Sequence, residues 1–159
     1  MGRFLTLDIG AGTMDVLVFD EDRKEHFKAV VKAPVRLLAE EAGACSGNIV
    51  VTGVEMGGGP FSTVLKERAR KHEVAMTVSA AATVHHDLNR VRSSGIRTVS
   101  EQEARSLAGR KKWNEIVAAD IDRGRIRRLI ESFGVPFQFD AVGVCAQDLD
   151  HVALEVLVG

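Results

Sequence analysis

The sequence predicts an α/β protein built around a mixed sheet, and three features favour this fold class. The N-terminal residues contain three strand-like segments, Phe4–Ile9, Met14–Phe19 and His26–Lys32, which are separated by tight turns and so predict an antiparallel meander. Two nearly continuous apolar runs, Asn48–Met56 and Asp140–Gln147, have the length expected of parallel strands that are buried on both faces. Helical periodicity fills most of the remaining chain.

The helical segments connect these strands in a specific order. Pro34 opens a helix that Gly43 is expected to end. The order of these elements matches a ribonuclease H-like fold: three strands, a helix, a buried strand, a long helical stretch and another buried strand. We therefore predict one lobe over residues 1–159 with an insertion at about 57–134. The four helices expected between the two apolar runs are Pro60–His72, Ser79–Arg92, a helix opened by the capping box Ser100–Glu103, and Asp122–Phe133.

Composition narrows the function classes. The 159 residues contain 21 basic and 22 acidic side chains, so the chain lacks the basic excess that holds a nucleic acid or an anionic membrane surface. The arginines of 123–128 alternate with apolar residues, as on the solvated side of an amphipathic helix. No apolar run is long enough to span a membrane, and we expect a cytoplasmic protein. Cys45 and Cys145 are expected to be reduced structural thiols.

The segment Asp8-Ile-Gly-Ala-Gly-Thr-Met-Asp15 lies between the first two strands and carries the chemistry. An aspartate at a strand end can hold Mg²⁺, usually through water. Glycines let the backbone turn tightly and present its N–H groups to phosphate oxygens. The alternative is a plain hairpin whose glycines merely permit positive φ. The predicted cofactors are ATP and Mg²⁺: Asp8 is the metal ligand and a catalytic residue, and the phosphate-binding residues are Gly10, Ala11, Gly12, Thr13 and Asp15.

With its flanks LTL and VLVFD, this segment resembles the phosphate loops of the superfamily that contains actin, the heat-shock chaperone ATPases and the sugar kinases. The resemblance implies a lobe of an actin-like ATPase, in which two such loops, one from each lobe, clamp the triphosphate. The letters Gly-x-Gly-Thr-x-Asp look more like the loop of the second lobe. No second copy is present, so we expect the second lobe to be absent from these residues.

The sequence also resembles the N-terminal half of a prokaryotic family, the domain of unknown function 1786. The resemblance rests on LDIGAGTMDVLVFD, VTGVEMGGGPF, HHDLNRV, SEQEA and VGVCAQD. Some members have been labelled pyruvate formate-lyase activating proteins, which implies a radical iron–sulfur enzyme. Its cluster needs several closely spaced cysteines, and two distant ones cannot supply it. We therefore reject that label on chemical grounds.

Three further groups are candidates for function. Gly57, Gly58 and Gly59 precede a helix start and are expected to contact phosphate or substrate, the alternative being a flexible connection. Gln147 and Asp148 end the last apolar run, where the superfamily resemblance implies a residue that orients the attacking water; helix capping by Asp148 is the alternative. The segment 85–87 (His-His-Asp) suggests a metal site, but adjacent residues on a helix diverge by about 100° and cannot chelate one ion.

The preferred function is a nucleotide-binding lobe, completed by a second lobe or by self-association into a homodimer. When completed it would hydrolyse ATP or phosphorylate a substrate, and whether the chain alone is an enzyme is left open. The first alternative is a metal-dependent nuclease on a ribonuclease H-like fold that uses Asp8, Glu55 and Asp148. The second is a non-catalytic structural or binding module.

Overall fold

A computed structural model describes residues 2–55 and 59–146. The chain divides into two compact units, the first formed by residues up to Pro34 together with residues from Ile121 onwards, and the second by Val35–Asp120. The strands are β1 (Arg3–Ile9), β2 (Thr13–Asp20), β3 (Glu25–Lys32), β4 (Asn48–Val54), β5 (Val74–Thr77), β6 (Ile96–Val99), β7 (Trp113–Ala119) and β8 (Ala141–Ala146). The helices are α1 (Pro34–Ala44), α2 (Gly59–Arg68), α3 (Val78–Val84), α4 (Leu88–Ser93), α5 (Glu101–Ala108) and α6 (Arg123–Glu131).

The first unit is a four-stranded mixed sheet in the order β3-β2-β1-β8. Antiparallel pairing joins β1 to β2 and β2 to β3, which confirms the predicted meander. The last strand, β8, runs parallel to β1, as expected for the second apolar run. Alternate side chains along β1 and β2 are buried because each strand has one covered face; these side chains are Leu5, Leu7, Ile9, Met14, Val16 and Val18.

The opposite face of this sheet is exposed along β2 and β3. Leu17 and Phe19 on β2 are 38% and 43% exposed, and Val30 on β3 is 57% exposed. Asp8 lies on the same face, because it is in register with Asp15. Asp15 shares a face with Leu17 and Phe19, since every second residue of β2 points to the same side. The mixed sheet of the first unit therefore presents an accessible face that carries both apolar side chains and the predicted metal ligand.

The expectation that β8 is buried on both faces is wrong. It is an edge strand of the mixed sheet and has a sheet neighbour on one side within the described residues. Ala141, Gly143 and Cys145 are exposed, whereas Val142 and Val144 are half-buried. An apolar run predicts a hydrophobic strand, but the position of that strand in the sheet decides how much of its surface other elements bury.

The second unit is a four-stranded parallel sheet in the order β6-β5-β4-β7. From β4 the chain moves outward through β5 to β6 and then returns past both to reach β7. The strand order therefore reverses between β4 and β7, as in a doubly wound sheet. The central strand β4 is buried on both faces through Ile49, Val50 and Val51, as predicted. On one face Ala104 and Leu107 of α5 pack against Val50, Ala75 and Val99.

Three strands of this unit were not expected. β5 and β6 each have four residues, too few for a hydrophobic period to separate a strand from a helix. β7 contains Asn114 and Glu115 within its apolar residues. Tertiary pairing with β4 selects the strand conformation for β5 and β7, and pairing with β5 does so for β6. As a result β4 belongs to a separate parallel sheet and not to the sheet of the meander.

Two helix predictions also need correction. The continuous helix expected over Ser79–Arg92 is wrong, because α3 ends at Val84 and α4 begins at Leu88. The expectation that Gly43 ends the first helix is wrong as well, since α1 continues through Gly43 to Ala44. An exposed glycine in the last turn of a helix costs less than 1 kcal/mol or so, which is too little to stop a helix that other contacts hold.

Helix starts were predicted more accurately. The Ser100 side chain accepts a hydrogen bond from the backbone N–H of Glu103, which is one half of the predicted capping box, and the Glu103 carboxylate pairs with Arg97. Asp122 caps α6 through the N–H of Arg125. The inserted unit begins earlier and ends earlier than the insertion predicted at about 57–134, and the single-lobe organisation of residues 1–159 stays a prediction. Within 2–55 and 59–146 no helix has the length and apolarity needed to cross a membrane.

Candidate functional site

The predicted phosphate loop is the turn between β1 and β2. The backbone N–H of Gly10 donates to the Thr13 carbonyl at 2.9 Å and closes the turn, whose residues 10–13 are all exposed. The N–H of Ala33 donates to the Gly12 carbonyl at 3.1 Å, which anchors the turn to the end of β3. The structure therefore brings Gly10, Ala11, Gly12 and Thr13 together at an open end of the mixed sheet.

In the plain hairpin alternative, the two glycines of this turn would serve only to permit a positive φ, and they do not have one. Neither Gly10 nor Gly12 has a positive φ, so their backbone conformation is open to other residues. A Cβ at Gly10 would lie 3.3 Å from the Thr13 carbonyl oxygen, which is tight. A Cβ at Gly12 would meet no atom within 4 Å. The fold of the chain therefore gives no reason for glycine at position 12, and the space above its backbone is open.

The two aspartates of the segment lie side by side on the exposed face. Asp8 on β1 is in register with Asp15 on β2, which places their Cα atoms about 5 Å apart. Lys28 forms an ion pair with Asp15 at 3.3 Å and offsets part of the repulsion between the two carboxylates. The Asp8 side chain is exposed and makes no hydrogen bond or ion pair within the described part of the chain. Asp8 is therefore accessible to a ligand.

The end of β8 reaches the same edge as the turn. Because β8 is parallel to β1, Cys145 is in register with Asp8 and Ala146 with Ile9. The predicted catalytic residues Gln147 and Asp148 follow Ala146 directly in sequence, but they lie outside the described residues. The direction of β8 agrees with the predicted parallel strand that ends near the turn. The positions of the Gln147 and Asp148 side chains stay a prediction.

The glycine-rich candidate belongs to the second unit. Gly57 and Gly58 lie outside the described residues. Gly59 is the first residue of α2, has φ 54° and has open space at its Cβ position. Its carbonyl accepts hydrogen bonds from the Ser62 and Thr63 hydroxyl groups at 3.2 and 3.1 Å. These contacts give Gly59 a structural role at the start of α2, and its contact with a ligand stays a prediction.

Two buried carboxylates follow neighbouring strands of the parallel sheet. Glu55, which is 3% exposed, comes directly after β4, and Asp120, which is 6% exposed, comes directly after β7. Glu55 was predicted as a ligand in the nuclease alternative, whereas Asp120 was not predicted. Since β7 was not predicted, no local pattern of residues indicated that Asp120 ends a strand beside Glu55. Asp148, the third acid of that alternative, lies outside the described residues, so the proposed cluster is not tested.

The segment 85–87 connects two helices. His85 is the C-cap of α3, and its Nδ1 accepts a hydrogen bond from the N–H of Asp87 at 2.9 Å. The His85 and His86 rings stack with centroids 4.3 Å apart. Asp87 caps α4 and forms an ion pair with Arg90 at 4.0 Å. Across the described ranges no group of three or more histidine, cysteine or acidic side chains has an arrangement that could hold a metal ion.

Arg125 is a residue at the edge of the mixed sheet that sequence reasoning missed. Its Nη2 donates to the Lys32 carbonyl at 2.7 Å, and Lys32 is in register with Thr13. Burial lowers the pKa of the Arg125 guanidinium from its ordinary value, and the nearby Asp122 carboxylate opposes this shift. The arginines of α6 were interpreted as a solvated face. One signal in the sequence could have singled out Arg125. It lies in the first turn of a helix, where cations are disfavoured.

Comparison with known proteins identifies the family. The model of domain of unknown function 1786 (DUF1786), described as "Putative pyruvate format-lyase activating enzyme (DUF1786)", matches residues 56–152, which is more than half of the chain. The chain belongs to this family. The DUF1786 match begins after the Asp8–Asp15 segment, so the family assignment rests on residues other than the turn. No curated protein and no solved structure matches the chain.

The description of the DUF1786 family implies an iron–sulfur cluster, and the thiols of this chain do not fit one. Iron–sulfur clusters are held mainly by cysteine thiolates, several of them closely spaced in sequence. These 159 residues contain two cysteines, Cys45 in the second unit and Cys145 in the first. Burial raises the pKa of the Cys45 thiol, which disfavours the thiolate that binds iron. We therefore derive no step of chemistry through such a cluster.

Proposed function

We propose that the first unit is a nucleotide-binding lobe of the actin-like ATPase type, with a ribonuclease H-like core. In this proposal the backbone N–H groups of Ala11, Gly12 and Thr13 hold phosphate oxygens, while the N–H of Gly10 closes the turn on the Thr13 carbonyl. Asp8 positions Mg²⁺ through water, and the ion neutralises charge on the phosphates. Phosphoryl transfer needs little covalent help from a protein, so orientation and charge are what this site must supply.

The observation that carries the proposal is the open space at Gly12. A glycine is retained for positive φ, for close packing against the protein, or for close approach of a ligand. Gly12 has an ordinary φ and no atom within 4 Å of its Cβ position. Gly43 shares these two features, but Gly12 lies in an exposed turn between two strands, where the open space leaves the backbone accessible to a ligand, and phosphate oxygens are groups that backbone N–H donors bind.

The sheet of the first unit supports the same proposal. The ribonuclease H-like expectation rested on a meander beside parallel strands. The order β3-β2-β1-β8 has the meander and one parallel strand, β8, beside β1, whereas β4 pairs in the other sheet. Asp8 is exposed at the end of β1, and β8 ends beside it at the same edge. A carboxylate, a glycine turn and a neighbouring strand end are therefore available at one place.

Calorimetric titration of the chain with Mg·ATP and Mg·ADP tests the proposal. We expect Asp8→Asn and Gly12→Ala each to weaken binding about tenfold or more, because they remove the metal ligand and obstruct the phosphate site. Gly43→Ala is the matched control, since Gly43 is also exposed and has open space at its Cβ position. Undetectable binding by the wild type, or wild-type affinity in Gly12→Ala, would contradict the proposal.

A nuclease assay with Mn²⁺ separates the alternatives. The nuclease alternative needs Asp8, Glu55 and Asp148 but has no use for an open glycine at position 12. Cleavage that Asp8→Asn abolishes and Gly12→Ala preserves would replace our proposal with the nuclease. The absence of both nucleotide binding and cleavage would favour the non-catalytic module.

We further propose that the lobe self-associates, with a second copy covering the apolar part of the exposed face of the mixed sheet and leaving Asp8 accessible. Leu17, Phe19 and Val30 form an apolar surface there. Light scattering over a concentration series should give the mass of a dimer at high concentration, and Phe19→Lys should shift the protein toward the monomer. Lys71→Ala, a change at an exposed residue of the second unit, is the control. A monomer at all concentrations would contradict this proposal.

A further inference from the structure

Lys32, the last residue of β3, lies beside the turn on the exposed face of the mixed sheet. It is in register with Thr13, the first residue of β2, and both residues are exposed. Paired residues of an antiparallel sheet point to the same face. Thr13 shares this face with Asp15, since every second residue of a strand does, and Asp15 is in register with Asp8. The Lys32 side chain is therefore on the face that carries the proposed Mg²⁺ ligand.

Two contacts on opposite sides hold the end of β3 against the turn. The N–H of Ala33 donates to the Gly12 carbonyl at 3.1 Å. The carbonyl of the same peptide group, that of Lys32, points the opposite way and accepts the Arg125 guanidinium at 2.7 Å. The backbone of Lys32 is thereby fixed, while its ammonium is carried on a flexible stem. An ammonium on such a stem can adjust to the position of a ligand.

The pair formed by Lys32 and Thr13 is of the close, non-hydrogen-bonded kind. The Thr13 carbonyl accepts the N–H of Gly10 and so points toward β1. The Lys32 carbonyl points away from β2, as described. Because these two residues exchange no backbone hydrogen bond, their Cα atoms are about 4.5 Å apart and their side chains are closer than in a hydrogen-bonded pair. The Lys32 side chain therefore starts directly beside the turn.

A ligand with several phosphate groups meets two carboxylates on this face. Asp8 and Asp15 lie side by side, in register on β1 and β2. The ion pair with Lys28 at 3.3 Å offsets the charge of Asp15, and the proposal assigns Mg²⁺ to Asp8. A nucleoside triphosphate with one Mg²⁺ still carries net negative charge. Lys32 supplies a further positive charge in the row of the sheet that contains Thr13.

We propose that the Lys32 ammonium binds a phosphate oxygen of the nucleotide that the backbone N–H groups of Ala11, Gly12 and Thr13 hold. This inference rests on the proposed nucleotide-binding function and adds a side chain to it. The turn supplies the partial charges of backbone N–H groups, whereas Lys32 supplies a full charge and a charge-assisted hydrogen bond. Lys32 therefore contributes directly to the affinity for the phosphate groups.

Titration of the 159-residue chain with Mg·ATP tests the inference. Lys32→Met keeps an apolar stem and removes the charge, so it should weaken Mg·ATP binding about tenfold. It should also reduce the dependence of that affinity on ionic strength. Lys24→Met is the matched control and should bind as the wild type does, because Lys24 is exposed and precedes β3 at the end opposite to Lys32. Equal weakening in both variants would assign the effect to net charge and overturn the inference.

Acetylation of lysine amines gives a readout that needs no variant. In the wild type, saturating Mg·ATP should slow the acetylation of Lys32 several-fold and leave that of Lys24 unchanged, as mass spectrometry would measure. An unchanged rate at Lys32 would overturn the inference, even if Lys32→Met folds poorly. Wild-type affinity in Lys32→Met, with loss of binding in Gly12→Ala, would overturn it and leave the proposed function standing. The absence of Mg·ATP binding by the wild type would overturn both.

Discussion

Asp8 and Cys145 are neighbours on the exposed face of the mixed sheet. They are in register on the parallel strands β1 and β8, whose spacing places their Cα atoms about 5 Å apart, and both residues are exposed. The proposed metal ligand therefore has a natural thiol beside it. A ligand that covers Asp8 should also cover Cys145.

We predict that Mg·ATP protects Cys145 from thiol reagents. Cys45 is half-buried and burial raises the pKa of its thiol, so it should react more slowly than Cys145 and serve as an internal reference. Labelling rates measured by mass spectrometry, with and without Mg·ATP, check this expectation. Protection should disappear in Asp8→Asn. Equal rates at Cys145 in the presence and absence of ligand would count against a site at Asp8.

Gly53 of β4 is a position where the fold requires glycine. Its φ is 79°, and a Cβ there would overlap the Ala118 carbonyl of β7. We predict that Gly53→Ala lowers the free energy of unfolding by roughly 2–4 kcal/mol, as urea denaturation would measure. The matched change Gly43→Ala, in the last turn of α1, should instead raise it by about 0.5–1 kcal/mol. A harmless Gly53→Ala would mean that β4 and β7 are not paired as described.

The Asp20 carboxylate should contribute to the acid sensitivity of the first unit. Hydrogen bonds from the Arg3 guanidinium, and then from the N–H of Arg23, lower the pKa of Asp20 below its usual value of 3.8, and burial opposes them. The stability that these bonds provide is complete above that value and is lost as the pH falls below it through the folded pKa.

Asp20→Asn should therefore destabilise the protein at neutral pH and have a smaller effect as the pH falls through the lowered pKa of Asp20, where the wild-type carboxylate also becomes protonated. Urea denaturation at a series of pH values measures the difference. Asp22→Asn, at an exposed residue of the adjacent turn, is the control and should follow the wild-type profile. An effect of Asp20→Asn that is constant at all pH values would contradict the assigned pKa direction.

The contribution of the Ser100 cap of α5 to the free energy of unfolding should be measurable by a single substitution. Ser100 accepts a hydrogen bond from the N–H of Glu103, and its loss should lower the free energy of unfolding by about 1 kcal/mol in Ser100→Ala. Ser106→Ala lies on the exposed side of the same helix and should be neutral or slightly stabilising. Equal effects of the two substitutions in thermal denaturation would show that the cap does not stabilise α5.

Local chemistry explains which elements could be predicted. The meander, the starts of α5 and α6, and the turn at Gly10–Thr13 are set by neighbours in sequence: alternating apolar residues, a capping side chain and paired glycines. Such signals are complete within a few residues. The short strands β5 and β6 gave no such signal, because a stretch of four residues fits a helix as well as a strand.

The sequence by itself determined the strand pairing around Asp8, the exposed position of the glycine turn between β1 and β2, and the caps of α5 and α6. The tertiary structure alone decided that β4 lies in a second, parallel sheet, that β8 is an edge strand, and that Arg125 contacts the end of β3. The physical reason is separation along the chain. Contacts between residues as distant as Arg125 and Lys32 depend on how whole elements pack, and no local pattern of residues encodes that packing.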